Sequence, residues 1–183
     1  MAHAHEILEE IEAMSEREFL PIIGPDKGKI LADAIRKSKP KHVLEVGTLI
    51  GYSAILIGKE LGADAEITTI EIHAKEAQAA KRNIERAGIP PRVDVIVGDA
   101  LKVIPILKEC FDAIFIDAEK TEYLQYLKLM EDKLHEGTVI VADNAGIFAD
   151  LMQDYLDYVR NPGKYKSKFV QVGEDGVEIS IKL

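Results

Sequence analysis

A doubly wound α/β sheet closed by an antiparallel hairpin is the fold that three features of the sequence predict. Five short β-rich runs recur through the middle of the chain: HVLEV (42 to 46), EITTIE (66 to 71), VDVIV (93 to 97), AIFID (113 to 117) and TVIVAD (138 to 143). Helix-patterned segments fill the gaps, and parallel strands need such crossovers. The chain ends in two further runs, KFVQV (168 to 172) and GVEISIKL (176 to 183), separated only by the turn Gly173-Glu174-Asp175. Two strands joined so tightly pair antiparallel.

The elements follow in order. Residues 5 to 20 carry Ile7, Leu8, Ile11 and Met14 at helical spacing, and residues 27 to 38 repeat the pattern with Ile30, Leu31, Ala34 and Ile35. Two amphipathic helices therefore precede the first strand. The segment 74 to 88 is a further helix, with Gly88 as its left-handed cap. In the last run, Val177, Ile179, Ile181 and Leu183 alternate as strand residues do. No repeat or linker interrupts the 183 residues, so one domain is expected, with N-terminal helices over 1–40 and an α/β core over 41–183.

Composition narrows the function. Hydrophobic residues make up 47% and charged residues 30%, the balance of a globular protein without membrane spans. The acidic N-terminus lacks the pattern of a signal peptide, so a cytoplasmic location is expected. With 23 basic against 32 acidic residues the net charge is -9, which disfavours a long polyanion and favours a small-molecule partner. Lys37, Lys39 and Lys41, and likewise Lys164, Lys166 and Lys168, are expected as solvated faces. The single cysteine, Cys110, excludes an internal disulfide and is expected as a small residue within the packing.

Ligands of doubly wound sheets bind at the carboxyl ends of the strands. Those ends are acidic here: Glu45, Glu71, Asp99 after Gly98, Asp117, and Asp143 with Asn144. The first strand runs into a tight turn with glycines at 47 and 51, but Leu49 stands where a dinucleotide loop would have its middle glycine. Such a loop suits a nucleoside without phosphate, and Glu71, 26 positions after Glu45 (71 − 45), can accept two ribose hydroxyls. S-adenosylmethionine is a ligand of that kind. Asp117 and the Asp143-Asn144 pair end neighbouring predicted strands, so three hard oxygen donors converge, as magnesium, manganese or calcium would require. Lys120, three residues beyond Asp117, could reach the same mouth as a general base.

The runs VLEVGTLIGYSA (43 to 54), ITTIEI (67 to 72), GDALKVIP (98 to 105), FDAIFIDAEK (111 to 120), VIVADN (139 to 144) and GEDGVEIS (173 to 180) together resemble the cation-dependent O-methyltransferases, the family of catechol and caffeoyl-CoA O-methyltransferases. The resemblance covers roughly residues 20–183. It implies the Rossmann-like, seven-stranded class I methyltransferase fold and a homodimer. It also implies that Glu45, Gly47 and Ser53 hold the methionine end of the cofactor, Glu71 the ribose, and Asp99 with Ala100 the adenine region, with Thr48, Gly51, Ile72 and Asp117 on the same surface. Asp117, Asp143 and Asn144 match the metal ligands, and Lys120, beside Asp117, matches the catalytic base.

The expected reaction is divalent-cation-assisted methyl transfer from S-adenosylmethionine to a hydroxyl of a catechol-like acceptor. Three alternatives stand beside it: a hydroxylated tRNA base as acceptor, an NAD-binding oxidoreductase, and a catalytically silent S-adenosylmethionine-binding module. After Asn144 the family often has Leu-Trp, whereas this chain reads Ala145-Gly146-Ile147-Phe148 and contains no tryptophan. One wall of the acceptor pocket is therefore expected to be built differently.

Overall fold

The computed structural model describes residues 2–183. Two helices come first, α1 (Ala2–Ser15) and α2 (Gly24–Ser38). The alternating core then runs β1 (His42–Val46), α3 (Tyr52–Lys59), β2 (Glu66–Glu71), α4 (Ala74–Ala87), β3 (Arg92–Val97), α5 (Ala100–Val103), β4 (Phe111–Ile116), α6 (Tyr123–Met130), β5 (Leu134–Ala142) and α7 (Gln153–Arg160). The hairpin β6 (Tyr165–Val172) and β7 (Asp175–Lys182) closes the chain. All seven strands form one sheet in the order β3-β2-β1-β4-β5-β7-β6, parallel from β3 to β5 and antiparallel through the hairpin, as the sequence predicts.

The sheet buries both faces. One face packs Ile7, Leu8 and Ile11 of α1 and Leu31 and Ile35 of α2 with Ile55, Ile57, Ile84 and Phe115. The other packs Tyr123, Leu127, Tyr155 and Leu156 of α6 and α7 against Leu44, Ile114 and Ile140. Two buried faces explain why the central strands read as continuous apolar runs.

Several expected boundaries shift for local reasons. The first helix stops at Ser15, and Met14, expected on its apolar face, is 41% exposed where that helix runs out. β5 begins four residues before the predicted run because the β4–β5 ladder resumes at Phe111 and Leu134 beyond a register shift. Gly88 caps α4 with φ 57°, as expected. Cys110 is exposed rather than packed, since it lies in the turn that leads into β4. The two lysine groups are exposed as predicted. Among the described residues, no helix is long and apolar enough to cross a membrane.

Candidate functional site

The strands end in register, so their carboxyl ends form a continuous rim. The Gly47, Asp117 and Asp143 amides donate across to carbonyls at the ends of the neighbouring strands, Ile70, Val46 and Ile116, at 2.9, 2.9 and 3.0 Å. Beside this rim lies a cavity of about 540 Å³ lined by Gly47, Thr48, Ser53, Glu71, Ile72, Asp99, Ala100 and Asp117 of the predicted cofactor residues. Its size lies in the range of small-molecule sites.

The cradle half of the rim is shaped by backbone. Gly47 has φ 90°, and a Cβ there would run into the Asp117 carbonyl oxygen. Its glycine is thus demanded by the approach of β1 to the β4 end. Leu49 adopts the left-handed region with φ 50°, which a side chain rarely takes. Its N–H donates to one Glu71 oxygen at 2.8 Å while His73 N–H donates to the other at 3.0 Å. Each oxygen keeps a lone pair for a ligand hydroxyl. The Asp99 carboxylate caps α5 by accepting from Leu101 N–H at 2.9 Å.

Two predicted cofactor residues do not line the cavity. Gly51, with φ 92°, faces α4, where a Cβ would sit 3.2 Å from Ala80 Cα, so its role is helix packing. Glu45 is fully buried beneath the turn. Burial pushes its carboxyl up to about 7 against the hydroxyls of Ser53, Thr69 and Thr48. Only Thr69 makes an aligned hydrogen bond with it, and Glu45 Oε1 and Thr48 Oγ1 have no partner. Unpaired buried polar atoms are costly unless a ligand completes them.

The second half is made of charge. Asp117 and Asp143 leave adjacent strands, and Lys120 Nζ lies 2.9 Å from Asp117 Oδ1 and 3.1 Å from Tyr123 Oη, to which it donates. Tyr123 in turn donates to the Asp143 carbonyl at 3.3 Å. Burial and the nearby Asp117 push Asp143 up to about 6, against the pull of Lys27. Asn144 sits at φ 60° and donates from Nδ2 to Asp175 Oδ2 at 2.9 Å, which leaves its amide oxygen free to coordinate.

Whether a hard cation fits can be read from these groups. Asp143 is 2% exposed, its Oδ1 makes no hydrogen bond, and Asp117 and Asp143 repel one another. Two mutually repelling carboxylates with an amide oxygen beside them form a donor set for magnesium or manganese. No group of three or more His, Cys, Asp or Glu that could hold a metal ion occurs among the described residues.

Sequence reasoning missed two kinds of residue. Pro21, Ile22 and Ile23, from the stretch between α1 and α2, help to wall the cavity. Lys27 of α2 and Asp175 of the hairpin meet Asp143 and Asn144 although they lie far away in sequence. Only the GEDG run hinted at Asp175, and nothing marked Lys27.

A protein-family model described as O-methyltransferase matches residues 1–160. The chain is 37% identical over 180 residues to catechol O-methyltransferase B of Danio rerio, covering 91% of this chain and 67% of that protein. It is 36% identical over 145 residues to catechol O-methyltransferase of Mycobacterium tuberculosis, covering 75% of this chain and 66% of that one. Among solved structures, an O-methyltransferase from Bacillus cereus in complex with SAH superposes with a TM-score of 0.85 at 26% identity, covering 100% of this chain and 91% of that chain.

Proposed function

Because the chain belongs to the O-methyltransferase family, we propose that it transfers a methyl group from S-adenosylmethionine to one of two vicinal oxygens of a small catechol-like acceptor, with a divalent cation at Asp117, Asp143 and Asn144. The observation that carries this reading is the juxtaposition of two half-sites on one rim. Asp117 lines the nucleoside-sized cavity and at the same time accepts from Lys120, so it joins the cavity to the neighbouring oxygen donors.

The cofactor side follows from the cradle. Glu71 accepts the ribose hydroxyls, Ile72, 61% exposed at the cavity edge, covers the base, and Asp99 with Ala100 borders it. Glu45 and Thr48, whose buried oxygens lack partners, lie under the methionine end together with Gly47 and Ser53. S-adenosylmethionine supplies an electrophilic methyl on its sulfonium, and the cation supplies Lewis acidity that makes an acceptor hydroxyl easier to deprotonate. Lys120 Nζ, in its neutral amine form, takes the hydroxyl proton and becomes the ammonium, and Asp117 and Tyr123 aim it. Catalysis is otherwise orientation: buried Asp143 and the hydrogen-bonded Asn144 fix where the acceptor oxygens sit.

A small acceptor fits the acidic mouth, where Asp99, Asp117, Glu119 and Glu122 line the cavity and repel phosphate. Lys164, Lys166 and Lys168 lie in and beside β6, at the far edge of the sheet. Exposed Ile147 and Phe148, just past Asn144, supply apolar surface where the family often has Leu-Trp. The test is calorimetric titration of S-adenosylhomocysteine, with magnesium and with chelator, followed by a simple catechol. Cofactor binding together with a catechol response confined to magnesium is the expected result. A catechol response that persists in excess chelator removes the cation, and absence of cofactor binding removes the whole reading.

A further inference from the structure

Lys27 stands in the first turn of α2, and its ammonium reaches across to the two acids at the end of the sheet. Nζ lies 2.7 Å from Asp143 Oδ1, 2.9 Å from Asp143 Oδ2 and 2.6 Å from Asp175 Oδ2. The lysine side chain is 13% exposed, Asp143 2% and Asp175 14%, so water screens this triad little. Asp175 is in turn gripped from the other side, accepting from Asn144 Nδ2 at 2.9 Å and from the Gly146 and Ile147 amides at 3.2 and 3.1 Å. Asp175 is therefore a fixed anion on which an ammonium can rest whether or not it also touches Asp143.

The contacts of Lys27 with Asp143 have a different quality. The ammonium is hydrogen-bonded to Oδ2, yet it approaches Oδ1 without an aligned bond, so that oxygen is paired in charge but not in geometry. An ammonium this close to both oxygens of a buried acid occupies the electrostatic place of a cation.

Building on the proposed cation site, we infer that Lys27 is a positioning residue and an internal counter-ion. It neutralises Asp143 when no divalent cation is bound and opposes the entry of one, while Asp175 anchors it and aims Asn144. The physical case is one of charge. Without Lys27, Asp143 and Asp175 would be two nearly buried carboxylates beside Asp117, and such a cluster attracts a dication strongly. A fixed ammonium a few ångströms from a dication costs more than a power of ten in affinity at intermediate dielectric. Lys27 thus keeps the metal-free site ordered and the bound cation exchangeable.

The inference predicts opposite effects for two partners of one ion pair, which a purely structural clasp would not produce. Lys27→Met should bind Mn²⁺, followed by electron paramagnetic resonance, about tenfold or more tightly than the wild type. Its thermal midpoint should also rise further on adding Mn²⁺ than that of the wild type. Asp175→Asn should weaken Mn²⁺ binding, because Lys27 is then left with Asp143 as its only carboxylate. Lys27→Arg should stay near wild type. Weakened or unchanged binding by folded Lys27→Met, with the wild type binding Mn²⁺, overturns the inference; if Lys27→Met does not fold, tighter binding by Asp175→Asn overturns it equally. Binding by Lys27→Met alone supports the counter-ion role while removing the native cation from the proposed mechanism. No binding by any of these proteins overturns both.

Discussion

Where β1 and β2 end, the site is backbone; where β4 and β5 end, it is side chains. The first half uses left-handed Gly47 and Leu49, and its acid Glu71 is satisfied by amides within a few residues of the strand ends. The second half uses Asp117, Lys120, Asp143 and Asn144, and its charges are balanced by Lys27 and Asp175 from distant parts of the chain. The contrast teaches a division of labour. Local backbone geometry shapes a cradle for a neutral surface, whereas a concentrated negative charge needs partners that only folding can bring.

That contrast can be broken at either half. The largest effect is expected at Gly47→Ala, where the new methyl meets the Asp117 carbonyl at a φ that disfavours it; stability in urea should fall by about 3 kcal/mol or more. A near-wild-type midpoint would mean that the rim tolerates movement. Lys120→Met should leave the fold and cofactor affinity intact while lowering kcat by about 10²- to 10⁴-fold. An unchanged pH–rate profile in that variant would remove the base.

A subtler effect separates the halves by pH. Glu45 ionises near 7 in the folded protein against 4.5 when free, so its contribution to stability is complete below about 4.5 and is lost as pH rises through 7. Glu45→Gln should therefore gain on the wild type by up to about 3 kcal/mol between those limits, as seen in denaturant midpoints across pH. Parallel curves for the two proteins would show that Glu45 is ionised throughout. The smallest effect lies away from the site: Lys39 caps α2 at φ 50°, and Lys39→Gly should stabilise by about 1 kcal/mol. A loss of stability there would show that the Lys39 side chain makes a contact that outweighs its backbone strain.

Much of the rim was legible because each of its residues sits at a strand end. Asp117, Asp143 and Asn144 follow β-rich runs directly, and Lys120 follows Asp117 within one turn, so alternation of strand and helix was enough to bring them together. Gly51 was legible as a glycine but not as a packing residue, because its neighbour Ala80 belongs to a helix that sequence cannot dock. Cys110 was misplaced because burial of a small apolar residue depends on the turn that holds it.

The sequence by itself determined the sheet, its closing hairpin and the acidic character of its carboxyl edge, since period and turn chemistry are local properties of the chain. Only the tertiary structure decided what balances that edge. Lys27 lies 116 positions from Asp143 and 148 from Asp175, and no periodicity links residues so far apart. Their meeting follows from α2 packing against β5 while the hairpin turn lands beside Asn144, and a charge finds its partner only after the chain between them has folded.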